Sequence, residues 1–210
     1  MNRLAVITIS LALGMSIISA NAQSMSGLRI GDDISTLSKI GSEPIAKQAM
    51  GPHTAIKFEL PDGNALSITY RDSSGQIVYL ETDWGQKQSG SFSDFHDFRF
   101  GETTLAEIRS ALGHNGMAFI HGPGPNLTED GGLVSVNSYE LSTGSLVVAF
   151  VTKIDKEHLA EFSKMTEEAK LEAFGSASRL DAIILSDRNY LEGIWGKEKL
   201  YDDGYRPIEW

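Results

Sequence analysis

A group of histidine and acidic residues near the middle of this 210-residue chain carries the donor atoms that a metal ion needs. Asp94, His96 and Asp97 lie close together, and His114 and His121 follow. Imidazole and carboxylate groups are acceptable zinc ligands. No pair has the His-x-x-x-His spacing that places two ligands on one helical face. We therefore interpret these residues as polar loop positions, and we predict neither a metal nor another cofactor.

Paired carboxylates are the second arrangement that could do chemistry. Glu81 and Asp83 alternate along one predicted strand, so they share a face and could take part in acid–base catalysis. Solvated strand faces commonly carry such pairs, and no second feature marks a sugar-binding site. The same interpretation covers two further pairs: Glu129 with Asp130, and Glu167 with Glu168. We assign none of these pairs a catalytic role.

A nucleophilic enzyme has little support in the sequence. The chain contains no Gly-x-Ser-x-Gly motif and no cysteine that a histidine could activate. A triad assembled by the fold stays open, although most combinations of serine, histidine and aspartate are accidental. We predict no catalytic residue, and a hydrolase built around His96, His114 or His121 is the least favoured alternative.

A glycine- and proline-rich loop over residues 122–132 is a candidate contact with another protein. Irregular loops of this length are more often functional than shorter ones. It lacks the lysine and the helix of a phosphate-binding loop, so nucleotide binding is disfavoured. A plain hairpin excursion is an equally good interpretation, because proline and glycine are ordinary turn residues. The candidate contact residues at this loop are His121, Asn126, Glu129 and Asp130.

The C-terminal tail, residues 189–210, carries aromatic residues among charges and glycines. Tryptophan and tyrosine in so polar a setting are favoured at protein interfaces. The alternative is that the tail packs back across a sheet, and the sequence leaves both interpretations open. Four aromatic residues of the tail are candidate contacts: Trp195, Tyr201, Tyr205 and Trp210.

The net charge of −10 restricts the class of partner. Phosphate backbones and anionic lipids repel an acidic chain, which disfavours nucleic acid and membrane surfaces as partners. The charge is also uneven. Residues 23–90 contain 6 basic and 8 acidic residues, whereas residues 91–210 contain 11 basic and 20 acidic residues. We therefore expect a partner protein to be basic and to contact the second half.

Residues 1–22 have the pattern of a cleaved secretory signal. Arg3 supplies the positive charge, Leu4 to Ile18 form an apolar stretch, and the segment ends in Ala20-Asn21-Ala22. The apolar stretch is shorter than the roughly 20 residues that span a bilayer. We predict cleavage between Ala22 and Gln23, no membrane insertion after cleavage, and a periplasmic or secreted bacterial protein, with its oligomeric state left open.

An internal repeat organises the rest of the chain. Leu28-Arg29-Ile30-Gly31 recurs as Phe98-Arg99-Phe100-Gly101, and each copy is followed by a helix-start signal. In the first copy Asp33 caps a helix that Gly41 ends. In the second, Thr104 and Glu107 have the spacing of a capping box, and Gly113 ends the helix. Alternating apolar residues and glycine-containing turns then predict antiparallel strands in each copy.

The predicted fold class is therefore α+β, with two similar subdomains that each have a short N-terminal helix followed by an antiparallel β-meander. The first subdomain covers residues 23–85, a linker covers 86–97, and the second subdomain covers 98–188. An extra helix over about 155–174, capped by Asp155 and ended by Gly175, is inserted into the second subdomain. The aromatic, acidic tail follows.

A resemblance to known envelope proteins rests on the starts of the two copies. The pattern Gly31 … Ile40-Gly41-Ser42-Glu43-Pro44, with its weaker echo Gly101 … Leu112-Gly113, resembles the glycine–helix–Leu-Gly-x-Pro opening of the SmpA/OmlA-type envelope lipoproteins. The tandem arrangement, over most of residues 26–186, resembles the β-lactamase-inhibitor protein fold. The lipoproteins carry a lipidated cysteine and the inhibitor carries disulfides, whereas this chain has no cysteine. The resemblance implies a fold and a protein-binding role, and it assigns no functional residue to this chain.

From these observations we expect an exported protein of the bacterial envelope that binds another protein, as an inhibitor or in assembly, without catalysis. A concave surface across the paired sheets is the expected contact face. The alternative is a secreted effector or virulence factor that acts on a host cell, because an export signal does not say where the protein finally goes. An envelope hydrolase is the less favoured alternative.

Overall fold

The chain forms a mostly antiparallel β-sheet with five short helices, an α+β architecture, in a computed structural model that describes residues 23–87, 90–162 and 164–210. The predicted signal segment, residues 1–22, lies outside the described residues, so cleavage after Ala22 stays a prediction. None of the helices among the described residues combines the length and the apolar composition of a bilayer-spanning segment.

Within the described residues, ten strands pair into one sheet. Their bounds are β1 Ala46–Met50, β2 His53–Glu59, β3 Ala65–Arg71, β4 Ile77–Asp83, β5 Met117–Phe119, β6 Asn126–Leu127, β7 Leu133–Glu140, β8 Leu146–Ile154, β9 Arg179–Asp187 and β10 Lys199–Tyr201. Their order across the sheet is β1-β2-β3-β4-β9-β8-β7-β5-β10, with β6 beside β7. The last strands of the two predicted meanders, β4 and β9, therefore meet in the middle of the sheet.

Short helices begin and end where the sequence predicts at the start of each half. Thr104 and Glu107 form the capping box of α1 (Leu105–Leu112), and Gly113 ends it in the left-handed conformation. Asp33 caps the first helix, Ile34–Ile40, which is a 3₁₀ helix rather than an α-helix. Its apolar residues recur every third position, which matches the three residues per turn of a 3₁₀ helix.

The sequence predicts a single helix over about 155–174, but the structure has two helices in this region, α2 (Lys156–Phe162) and α3 (Glu167–Ala177). The hydroxyl of Thr166 accepts a hydrogen bond from the Ala169 N–H, which starts a new helix in the middle of the predicted one. Gly175 lies inside α3, where it faces Ala106 of α1, so it does not end the helix.

The main hydrophobic core covers one face of the sheet and draws on both halves of the chain. Leu66, Leu80, Phe150 and Leu185 contribute to it from four different strands. Phe95, inside the predicted linker 86–97, is only 1 % exposed and contacts the rings of three other core residues: Phe98, Phe150 and Trp210. The described part of that linker is thus anchored in the core.

The C-terminal tail packs back onto the sheet. It forms α4 (Arg188–Trp195), the edge strand β10 beside β5, and a bridge from Ile208 to Leu141. Leu191 of α4 packs in a second, smaller hydrophobic cluster with Met117, Phe119 and Val147. This cluster lies on the opposite face of the sheet from the main core.

Candidate functional site

The face of the sheet turned away from the main core is partly open, and we call it the open face. Residues directly opposite each other in an antiparallel sheet point to the same side. One row across this face comprises Val136, Val151, Ala182, Asp83 and Ala65. The next row comprises Ser138, Ala149, Ile184, Glu81, Ser67 and Lys57. Small and branched side chains on β8 and β9 therefore adjoin charged ones on β2 and β4.

Near the middle of the open face Asp83 has a carboxylate neighbour on each side, Glu81 and Asp181, and we call these three residues the acidic centre. Glu81 and Asp83 are two residues apart on β4, and the charge of Asp83 acts on the Glu81 carboxyl group. The register between β8 and β9 shifts at Val151, which pairs with Ala182, while Thr152 pairs with Leu180. Asp181 is the extra residue at this bulge, and its carboxyl group interacts with that of Asp83. Bulges commonly redirect a side chain in this way.

Desolvation makes the acidic centre electrostatically unfavourable. Burial raises the pKa of Glu81 to about 7, and the neighbouring charge of Asp83 adds to the effect. The hydroxyl of Tyr79 donates to Glu81 Oε2 at 2.9 Å and offsets part of this shift. Burial also raises the pKa of Asp181. The anionic forms of both carboxyl groups are therefore destabilised, and an added positive charge at this place would stabilise them.

Two lysines flank the acidic centre, and each is already engaged by a carboxylate. Lys57 Nζ lies 2.9 Å from Asp83 Oδ2. Lys153 Nζ lies 2.6 Å from Asp130 Oδ2, which holds the pKa of the exposed Asp130 carboxyl well below its usual range. The charge of Asp130 also reaches Asp181. The loop 122–132 thus adds a fourth carboxylate at the rim of the open face.

The stability of the protein is expected to fall as the pH rises from about 5 to about 8, in part through Glu81. This carboxyl group has a pKa of 4.5 in its ordinary state and about 7 in the fold. Between those values the folded state binds more protons than the unfolded state, so the free energy of unfolding decreases with rising pH. Glu81→Gln removes that loss, and at about pH 8 it should raise the free energy of unfolding by on the order of 1–2 kcal/mol.

Urea unfolding of the wild type and Glu81→Gln at about pH 5 and pH 8 measures this difference. Glu168→Gln is the matched control, because it removes one carboxylate from an exposed position on α3. A pH dependence that is the same in the wild type and in both variants would contradict the assignment.

The eight contact residues predicted from the sequence do not form one surface. Asp130 lies at the rim of the open face, with Glu129 and Asn126 exposed on the same loop. A second group, His121, Trp195, Tyr201 and Tyr205, lies around β5, α4 and β10. There, Trp195 contacts Phe119, and the Tyr201 and Tyr205 rings are 4.7 Å apart. Trp210 is separate, because its ring packs edge-on against Phe95 of the main core.

Buried charges stabilise the end of the open face beneath α4 and β10. Lys199 Nζ lies 2.6 Å from Glu192 Oε1 and 3.4 Å from Glu140 Oε1, and all three side chains are largely buried. Arg188 lies 3.2 Å from the same Glu140 oxygen. The hydroxyl of Tyr205 accepts a hydrogen bond from the Glu140 backbone N–H. This network holds the C-terminal tail against β7. Tyr205 therefore takes part in packing, although its side chain is half-exposed.

The three histidines that the sequence offered as metal ligands or as residues of a hydrolase site, His96, His114 and His121, have different neighbours. His96 packs against Phe95 and Phe98. His114 is buried, and its Nδ1 accepts a hydrogen bond from the Gly116 N–H. His121 is exposed, with its Nε2 3.8 Å from Glu198. Among the described residues, no group of three or more histidine or acidic side chains could hold a metal ion.

The sequence named Asp130 as a candidate contact and showed the Glu81 and Asp83 pair, to which we assigned no role. It did not point to Asp181 or Lys57. Asp181 reaches the open face through the bulge on β9, and the linear pattern of that strand does not show where the bulge falls. In the sequence, Lys57 is an ordinary charged residue of an alternating strand. The register between β2 and β3 places it opposite Ser67, and its ammonium group pairs with Asp83.

Comparisons with protein-family models, with curated proteins and with solved structures found no match for this chain. The open face and its acidic centre are therefore interpreted from their own residues.

Proposed function

We propose that this chain is an exported, non-catalytic protein-binding module whose open face receives a basic segment of another protein. The observation that carries the proposal is the acidic centre, where Glu81, Asp83 and Asp181 lie together in a partly desolvated place. A lysine or arginine of a partner would pair with carboxylates that are already partly removed from water in the free protein. Its binding would therefore gain charge pairing at little further desolvation cost to the carboxylates.

The surroundings of the acidic centre favour a protein over a small cation. The half-exposed side chains of Val136 and Val151 and the buried Ile184 give the open face an apolar part beside the charges. Interfaces commonly combine an apolar centre with charged groups that fix orientation. Asp130 at the rim adds negative charge on the side of the loop 122–132. The preference for a basic partner agrees with the net charge of −10. Asp130 and Asp181 lie in the acidic second half of the chain, where we expected the contact, whereas Glu81 and Asp83 lie in the first half.

The envelope or the extracellular space is the proposed location. The support is the sequence of residues 1–22, with Arg3, the apolar stretch and the Ala20-Asn21-Ala22 ending. A destination on a host cell shares this signal. Protein confined to the periplasm, on fractionation of producing cells and their medium, would argue against that destination.

We further propose that the two halves are copies of one unit related to the SmpA/OmlA-type and β-lactamase-inhibitor folds. Gly31 N–H donates to Ile77 O at 2.8 Å, and Gly101 N–H donates to Leu180 O at the same distance. The two cap residues also have parallel roles, because Asp33 bridges to Gln76 before β4, while Thr104 bridges to Arg179 at the start of β9. These matched contacts support duplication.

Site-specific photo-crosslinking tests the binding surface. A photoreactive amino acid at Ser67, half-exposed beside Glu81, should capture a basic protein in cells that export the chain. The same probe at Ser176, exposed on α3, is the control. The captured partner is then purified, and its affinity is measured for the wild type, for Asp83→Asn/Asp181→Asn and for the charge-matched control Glu167→Gln/Glu168→Gln.

We expect the acidic-centre variant to weaken binding by tenfold or more, because each lost charge pair at a partly buried site is worth about 1 kcal/mol or more. The α3 variant should change the affinity less than threefold. Crosslinks from Ser176 but not from Ser67, or equal affinities for both double variants, would contradict the proposal.

A further inference from the structure

The strand β1 forms one edge of the sheet, and its sequence has few of the features that usually protect such an edge. All five residues of Ala46–Met50 are exposed. Edge strands are commonly shortened, twisted by bulges, or given prolines and charges, since their free N–H and C=O groups can pair with another chain. β1 contains no proline, and Lys47 is its single charged residue. Exposed apolar side chains lie at both ends of the strand, where Ile45 precedes it with 61 % exposure and Met50, its last residue, is 46 % exposed.

The hydrogen-bonding direction of each residue in β1 follows from the hairpin that joins it to β2. The two-residue loop Gly51–Pro52 is closed by the pair Met50 and His53. Because bonded and non-bonded pairs alternate along an antiparallel ladder, Met50, Gln48 and Ala46 bond to β2. The Ile45 N–H, which donates to Lys57 O at 2.8 Å, agrees with bonding at the Ala46–Lys57 level. The N–H and C=O groups of Lys47 and Ala49 therefore point to the open edge.

We propose that β1 pairs antiparallel with β1 of a second copy of this chain, about a two-fold axis at Gln48. This register pairs all five residues of each strand. It places Lys47 opposite Ala49 of the other copy, so that their outward-facing backbone groups can form hydrogen bonds in both directions. Ala46 then lies opposite Met50 of the other copy. A register centred on Lys47 would instead place two ammonium groups opposite each other.

The ends of β1 offer apolar contacts in this arrangement. A cleft of about 370 Å³, lined in part by Met50, Pro52, Tyr190 and Ile194, lies beside the end of the strand. Ile194 is 51 % exposed there. In the Gln48-centred register, Ile45 of the second copy lies opposite Gly51, next to this cleft. Pairing would thus cover exposed apolar side chains at both ends of the interface.

The distribution of charge favours pairing with a second copy at the β1 edge of the sheet rather than at the β10 edge. β10 at the other edge is three residues long, and Glu198, Asp202 and Asp203 flank it. Two copies meeting there would bring these carboxylates together. Residues 23–90 around β1 are nearly balanced, with 6 basic and 8 acidic residues. The inference does not depend on the proposed binding function, because the acidic centre and β1 can act separately.

Cysteine crosslinking tests the register directly, because the chain has no cysteine of its own. Gln48 faces its counterpart as a non-bonded pair, and the Cβ atoms of such pairs are about 4.5–5.5 Å apart, within reach of a disulfide. Gln48→Cys in the chain from residue 23 should form a covalent dimer under mild oxidation. Leu200→Cys, 64 % exposed on the other edge strand, is the matched control and should stay largely monomeric.

Analytical ultracentrifugation of the same chain without added cysteine should show a concentration-dependent dimer. Ala49→Pro removes an N–H that faces the open edge and leaves the bonds to β2 intact, so it should raise the dimer dissociation constant at least tenfold. Circular dichroism confirms that this variant is folded. Gln48→Glu, which opposes two carboxylates on the two-fold axis, is a second variant with the same expected effect. A monomeric wild type at all concentrations, or equal crosslinking of the two cysteine variants, would overturn the inference.

Discussion

Phe95→Ala is expected to lower the free energy of unfolding by about 3–5 kcal/mol, the range for removing a large buried aromatic side chain. The ring of Phe95 is 1 % exposed, and its centroid lies 4.7 Å from that of Trp210 and 5.1 Å from that of Phe150. Its loss would leave a cavity between residues that come from the linker, from β8 and from the C-terminus. Chemical denaturation followed by circular dichroism measures the effect.

Phe92→Ala is the matched control, because it makes the same substitution three positions away. Phe92 is 61 % exposed, and its ring lies under the guanidinium group of Arg99 at 3.7 Å. A contact of this kind is worth about 0.5–1 kcal/mol at an exposed site. Similar losses for both variants would show that residues around Phe95 behave as a linker and not as part of the core.

Lys199→Met is expected to destabilise the fold by about 3–5 kcal/mol, because it leaves the buried Glu192 carboxylate without its cation and leaves Glu140 with Arg188 alone. The Lys199 side chain is 6 % exposed, and its Nζ lies between Glu192 and Glu140, whose side chains are 15 % and 11 % exposed. Thermal and urea unfolding of the variant measure the loss. Adding Glu192→Gln should recover part of the lost stability, since it removes one of the uncompensated charges.

Lys170→Met provides the comparison for an exposed ion pair. Lys170 pairs with Glu167 on the surface of α3, where the Glu167 side chain is 88 % exposed. Exposed pairs contribute about 0–1 kcal/mol, so this variant should change stability little. If Lys170→Met and Lys199→Met cost the same, the buried network does not hold the tail to the sheet.

Local signals in the sequence predicted the helix ends well. The capping box of Thr104 and Glu107 and the C-terminal glycines Gly41 and Gly113 are formed as expected, since each depends on residues only a few positions apart. The inserted helix was predicted less well. Its apolar spacing continued across Thr166, but that hydroxyl caps a second helix, and local hydrogen bonding prevailed over the longer pattern.

Contacts between distant segments could not be read from the chain. Glycine, serine and glutamine around residues 86–93 are typical of a linker, yet the nearby Phe95 enters the core because Trp210 arrives from 115 positions further on. The same holds for the site. The Glu81 and Asp83 pair was visible as alternating carboxylates, whereas Asp181 joins them through a strand pairing across nearly half the chain. Burial, which raises the pKa of Glu81, exists only once that pairing has formed.

The central claim is that the acidic centre binds a positive charge of a partner protein, and the protonation of Glu81 reports on it directly. Carbon-13 NMR of the side-chain carboxyl groups follows this titration in the free protein and in its complex with the partner that photo-crosslinking identifies. In the free protein we expect a pKa near 7 for Glu81. In the complex the pKa should fall by one unit or more, because an adjacent cation favours the carboxylate. A complex that leaves the Glu81 titration unchanged would contradict the claim.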